Sequence, residues 1–228
     1  MADRPFRIVE VIYPDMTQLD FTAPHTVFSR IPHSETIVAS LTGGAIASDG
    51  GLTFAGTVPM GEIDRCDLLF FPGGFAATEV ASDPAFMGEA KRLASGARYL
   101  TSVCTGSLIL AATGLLNGRR AACHWAWRDM LALFGAIPDP ARVARDGDII
   151  TGGGVTAGID FALTVAAELA GEAFAQALQL NLEYAPAPPF NAGRPETAPP
   201  EILAAVMKRM DAIMPARLAQ AKLAAAAL

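Results

Sequence analysis

The sequence predicts an α/β fold: a mainly parallel sheet with helices on both faces. Three observations carry this reading. Apolar runs of strand length alternate with segments of helical periodicity, residues 68–71 are apolar without interruption, and the runs stop at glycine or proline. A strand covered on one face alternates apolar and polar residues, whereas one covered on both faces is apolar throughout.

In order, residues 7–13 read as a buried strand ended by Pro14-Asp15, and residues 21–30 carry apolar side chains at helical spacing. Residues 35–41 form a second strand stopped by Gly43-Gly44, with short β-like pieces separated by glycine between 46 and 58. The run 67–71 enters Pro72-Gly73-Gly74, and a helix follows over 84–95. Residues 98–103 suit a buried strand and 105–112 a helix, with Cys104 at the junction. Gly114 and Asn117-Gly118 announce a turn before a short strand at 119–123, and 125–134 suits a helix. Asp146-Gly147-Asp148 reads as a hairpin turn ahead of strand 149–151, which reaches Gly152-Gly153-Gly154 and a long helix over 156–170. The Pro/Ala-rich stretch 185–200 is expected as an extended surface excursion within a single domain spanning 1–228. Residues 201–228 have helical periodicity, with a break expected at Met214-Pro215.

A chain that is 52% hydrophobic and 18% charged is that of a packed globular protein. Its net charge of -6 and lack of a basic cluster predict no nucleic-acid or anionic-membrane partner and leave small-molecule chemistry. Residues 1–7 hold no basic segment followed by an apolar core, and no apolar run is long enough for a bilayer, so a cytoplasmic protein is expected. Three cysteines without C-x-x-C spacing indicate reduced thiols rather than disulfides or zinc, and neither metal nor cofactor is expected.

Sites in parallel α/β sheets form beyond the carboxyl ends of the strands. Four stretches fall there: residues 15–20, Pro72-Gly73-Gly74, Cys104-Thr105-Gly106 and Gly152-Gly153-Gly154. At a strand-to-helix junction, free amides and the helix dipole favour thiolate over thiol, which makes Cys104 a candidate nucleophile. A buried packing cysteine is the competing reading. Asp20, just ahead of the first helix, reads as a cap or as an acid/base group for Cys104. Gly73 and Gly74 can bring backbone N–H groups close to a ligand, or simply make a tight turn. The run 152–154 lacks P-loop and dinucleotide spacing, so close helix packing beside the site is the favoured role. His124 can orient the site or sit hydrogen-bonded in the core; Trp125 and Trp127 wall a pocket or pack.

These residues together resemble the ThiJ/PfpI superfamily of glutamine-amidotransferase-like proteins. The similarity runs through Thr17-Gln18-Leu19-Asp20-Phe21-Thr22-Ala23-Pro24, Phe71-Pro72-Gly73-Gly74 and Ser102-Val103-Cys104-Thr105-Gly106-Ser107. It continues through Gly114-Leu115-Leu116-Asn117-Gly118-Arg119-Arg120-Ala121 to His124-Trp125, and through residues 151–160. The resemblance implies a three-layer, flavodoxin-like sheet with a cysteine nucleophile elbow, and a homodimer. Thr105 stands where protease-like relatives place histidine, and Asp20 where glyoxalase and deglycase relatives use glutamate. Both positions resemble the isocyanide-hydrating members. That implies Cys104 as nucleophile, Asp20 as acid/base and Thr105 as a hydrogen-bonding neighbour; Gly73, Gly74, His124 and Gly153 are expected around the substrate. The implied reaction adds water to a small-molecule isocyanide through a covalent thioimidate, giving an N-substituted formamide. An apolar region near Trp125 and Phe21 is expected to receive the R group. A glyoxalase or deglycase acting on α-ketoaldehydes and a redox-sensing or ligand-binding module remain alternatives. AraC-type regulators carry a similar elbow ahead of a helix-turn-helix domain, which is not expected here.

Overall fold

The computed structural model describes residues 4–228; of the amino-terminal stretch considered above, residues 1–3 lie outside the described part. Ten strands follow in chain order: β1 Phe6–Val11, β2 Ser34–Ser40, β3 Gly44–Ala47, β4 Thr53–Pro59, β5 Leu68–Phe71, β6 Tyr99–Val103, β7 Arg120–Ala122, β8 Ile137–Asp139, β9 Val143–Asp146 and β10 Ile149–Gly152. Eight of them form one sheet in the order β3-β4-β2-β1-β5-β6-β10-β9, and β7 pairs with β8 apart from it. The central pairings β2/β1, β1/β5, β5/β6 and β6/β10 are parallel, while β9/β10 and β3/β4 are antiparallel. The first of these antiparallel pairs is the hairpin read at Gly147-Asp148, with Gly147 at φ 65°.

The helices are α1 Gln18–Phe28, α2 Ala77–Val80, α3 Pro84–Gly96, α4 Gly106–Ala111, α5 Ala157–Ala170, α6 Glu172–Asn181, α7 Pro200–Met210 and α8 Met214–Ala226. Successive strand residues point to opposite faces, and the core divides accordingly. Leu68 and Phe70 of β5 pack with Val27, Phe28, Phe161 and Val165 of α1 and α5. Leu69 and Phe71 pack with Phe86, Leu93, Leu108 and Ala221 of α3, α4 and α8. The rings of Phe28, Phe70 and Phe161 meet within 5.6–5.9 Å of one another, contacts worth about 0.5–1.5 kcal/mol per pair beyond area burial. The result is the expected three-layer, flavodoxin-like arrangement.

Several local expectations change. The segment read as a helix over 125–134 is a set of tight turns ending in a 3-10 helix at Arg128–Phe134. His124 C=O accepts from both Trp127 N–H and Arg128 N–H at 2.9 Å, tightening the winding, and Gly135 closes it at φ 74°. Met214-Pro215 does not break the carboxyl-terminal helix but opens α8; the interruption is at residues 211–213. That fits proline, whose missing N–H is harmless in a first turn. The first helix begins at Gln18, so Asp20 lies inside its first turn, and no side chain caps it. Residues 185–199 lie mostly at the surface without strand or helix, and α6 was not foreseen. Among the described residues no helix is long and apolar enough to cross a membrane.

Candidate active site

Because β1, β5, β6 and β10 are consecutive in the sheet, the loops at their carboxyl ends lie side by side. Cys104 follows β6 directly and adopts φ 56°. A non-glycine residue pays for this left-handed conformation, and such strain persists only where surrounding bonds fix it. Here Cys104 N–H donates to the carbonyls of Gly153 at 2.8 Å and Gly152 at 3.1 Å. Gly153 therefore holds the elbow through its backbone, and its own N–H donates to Arg142 C=O at 2.9 Å. Gly106 lets α4 start against β5: a Cβ there would stand 2.7 Å from Pro72 O and closer still to Phe71 O.

Asp20 reaches the same point from α1. A Cβ on Gly73 would stand 2.6 Å from Asp20 Oδ2, 2.7 Å from Cys104 Cβ and 2.7 Å from Thr105 N. The missing side chain at Gly73 is thus what allows Asp20 and the elbow to meet. Asp20 is fully buried, and neither carboxyl oxygen makes a well-formed hydrogen bond. Burial raises its pKa from the ordinary 3.8 to about 7, against smaller opposing effects of the Cys104 thiol and Gly73 N–H. The Cys104 thiol is 5% exposed and is pushed well above its ordinary pKa by burial, then by Asp20. Burial thus works against the thiolate that the helix end favours. With only six residues, α4 supplies a weak dipole, and the N–H groups of Val155 and Thr105 near Sγ offset only part of the cost.

Thr105 Oγ1 donates to Gly74 C=O and accepts from Gly74 N–H, both at 2.8 Å. Its hydroxyl is a clasp between the elbow and the glycine turn, and the Gly74 amide is already engaged. Gly73 C=O accepts from Thr17 N–H at 2.9 Å, joining α1 to the same turn. His124 is the neutral tautomer with Nε2–H, since Nδ1 accepts from Ala126 N–H at 3.2 Å and burial lowers its pKa to about 4. Gly154 makes room for the ring, since a Cβ there would lie 2.8 Å from His124 Cδ2.

The hydroxyls of Ser102 and Ser107 meet at 2.8 Å, and Ser107 donates to Ala122 C=O at 2.6 Å. Thr151 Oγ1 accepts from Ala122 N–H at 2.8 Å. These buried bonds moor the segment carrying His124 to the elbow. Their sequence signal was small polar residues inside apolar runs, which implies internal partners.

A cavity of about 90 Å³ opens over Cys104, lined by Thr105, Gly74, Phe75, His124, Trp127, Val155 and Met210 among others. Trp127 is thus both core and wall. Trp125 and Gly153 instead face a broader neighbouring hollow that shares His124 and Val155. Phe21 does not line the cavity; it packs edge-on against Phe54 at 5.1 Å. A buried thiol, a carboxyl of pKa about 7 and an apolar cavity together suit addition to a small uncharged electrophile with internal proton transfer.

Comparison with known proteins places this arrangement. The chain is 44% identical over 199 residues to the isonitrile hydratase of Pseudomonas putida, covering 87% of each. It is 29% identical to a deglycase of Pyrococcus abyssi over 150 residues, 64% of this chain and 82% of that one. The crystal structure of a ThiJ/PfpI family protein from Pseudomonas syringae superposes with a TM-score of 0.91 at 39% identity, over 97% of this chain and 90% of that one. The DJ-1/PfpI family model matches residues 7–168, which contain the elbow, Asp20 and both glycine turns, so the chain belongs to the DJ-1/PfpI family.

Proposed function

We propose that the protein adds water to isocyanides, R–N≡C, and releases N-substituted formamides, with Cys104 as nucleophile and Asp20 as acid and base. The observation that carries this reading is the Asp20 carboxyl, buried against Cys104 without a competing partner and with a pKa of about 7. The similarity to the Pseudomonas putida isonitrile hydratase supports the substrate class.

Asp20 carboxylate accepts the Sγ proton as sulfur bonds to the terminal carbon of the isocyanide, and returns it to that carbon. The product is a neutral thioimidate, S–CH=N–R, and no free carbanion builds up. Asp20 next takes a proton from water as oxygen attacks the thioimidate carbon and passes that proton to the nitrogen, which leaves the carboxylate as it began. Collapse of S–CH(OH)–NHR breaks the C–S bond, the hydroxyl proton returns to sulfur, and the formamide leaves. The N–H groups of Thr105 and Val155 beside Sγ stabilise negative charge on sulfur as that bond breaks. The Thr105 clasp on Gly74 keeps the carboxyl and thiol in register. Gly73, Gly74, Gly153 and His124 shape the pocket mainly by backbone bonding and packing. In this reading the enzyme needs no cofactor, works in the cytoplasm and is a homodimer, which sedimentation and cell fractionation check.

The test is mass spectrometry of the purified protein with an alkyl isocyanide in H2¹⁸O. The expected result is ¹⁸O-labelled formamide from the wild type and none above background from Cys104→Ala. Absence of formamide from the wild type, or normal turnover by Cys104→Ala, refutes the proposal. Turnover of methylglyoxal alone would assign the deglycase reaction instead.

A further inference from the structure

Phe75 and Met210 stand at the edge of the Cys104 cavity on elements that have no part in the chemistry. Phe75 follows the Gly73-Gly74 turn, which is fixed by Thr17 and Thr105, so its backbone position is set by the catalytic site. Its side chain is 48% exposed, yet its ring stands edge-on to the buried Trp127 at 6.0 Å. Met210 ends α7, a helix on which no residue is fully buried, and together with Ile213 and Met214 just beyond it packs, partly buried, against the core. One side of the opening is therefore a fixed aromatic ring. The other is a partly buried thioether at the end of that helix, a side chain type able to adapt to different shapes.

The volume decides what can be enclosed. At about 90 Å³ the cavity is smaller than the roughly 150 Å³ apolar cavity that accepts benzene. It holds an isocyano group and a short stub of R, not a ring or a long chain. His124 and Val155 border both this cavity and the neighbouring hollow; a larger R group that extends instead past the half-exposed Phe75 and past Met210 meets apolar side chains, and none of the residues lining the cavity is charged.

Resting on the hydratase reading, we infer that Phe75 and Met210 select the substrate by gripping an extended apolar R group, so that the preferred isocyanides carry alkyl chains longer than the cavity. A methylene moved from water into apolar contact is worth roughly a fourfold gain in affinity. From propyl to hexyl, kcat/KM of the wild type therefore rises by about fourfold per carbon at most.

The experiment measures kcat/KM for ethyl and n-hexyl isocyanide with wild type, Phe75→Ala, Met210→Ala and Met210→Leu. Binding of N-ethyl- and N-hexylformamide is followed in parallel by tryptophan fluorescence. The hexyl-to-ethyl ratio is expected to exceed ten in the wild type and to fall about tenfold in each alanine variant. Met210→Leu, which conserves volume, keeps the wild-type ratio, and the two formamides show the same order of affinity. A wild-type ratio near one, or alanine variants that retain the wild-type ratio while turning over substrate, overturns the inference and leaves the hydratase reading standing. No formamide from any isocyanide overturns both.

Discussion

Asp20→Asn separates the stability cost of this site from its chemistry. Folding raises the Asp20 pKa from 3.8 to about 7, chiefly by burial. Between those two values the folded protein holds a proton that the unfolded chain has released, so stability falls as pH rises through that window. At about 1.36 kcal/mol per pKa unit, the ionised carboxyl costs the fold about 4 kcal/mol by pH 8. Asparagine has nearly the same shape and never ionises. At pH 5 the unfolded chain has already released the proton that the fold still holds, so the variant should be more stable by only about 2 kcal/mol. At pH 8 the variant is expected to be more stable by about 4 kcal/mol, which for a chain of this size is roughly 8–16 °C in Tm. The same substitution removes the proton carrier and should lower formamide production by about 10²–10⁴-fold. Thermal unfolding of both proteins at pH 5 and pH 8, alongside the formamide assay, checks both halves. An equal Tm difference at the two pH values would show that the carboxyl is not strained by burial, and the assigned proton transfer would lose its basis.

Further outcomes follow from the same geometry. For the wild type, kcat/KM should fall about tenfold per unit below pH 7, as the Asp20 base is protonated, and stay level from pH 7 to 9 because the thiol titrates well above its ordinary range; a pH-rate profile without an acid limb near 7 contradicts this. Gly73→Ala places a Cβ 2.6 Å from Asp20 Oδ2 and 2.7 Å from Cys104 Cβ, so activity should drop by about 10²-fold, read as kcat/KM on an isocyanide. Thr105→Val strands the buried N–H and C=O of Gly74 and should cost about 2–4 kcal/mol in urea unfolding, whereas Thr105→Ser restores most of it. Phe161→Ala empties the ring cluster with Phe28 and Phe70 and should cost about 3–5 kcal/mol, with no direct effect on the Cys104 pocket.

Much of the fold was legible because the central strands are covered on both faces, and that condition writes itself as runs such as Leu68-Leu69-Phe70-Phe71. The run at Trp125 misled because apolar spacing records burial, and tight turns around His124 bury Trp127, Met130 and Leu131 as a helix would. The Pro215 position misled for the opposite reason: proline signals a boundary, and the sequence does not say on which side of it the helix lies.

By itself the sequence determined the parallel sheet, the elbow position of Cys104 and the four loops that meet at one rim, since these follow from local pattern and strand direction. The tertiary structure alone decided the state of the site. The left-handed turn at Cys104 exists because carbonyls from Gly152 and Gly153, some fifty residues away, capture its amide. The proton balance between thiol and Asp20 depends on how completely water is excluded from two groups on different elements, which no local pattern records. The Thr105 hydroxyl is a clasp rather than a free donor because of where Gly74 lies across the sheet edge. Strand and helix identity are set by neighbours in the chain; the charge of a buried group is set by neighbours in space.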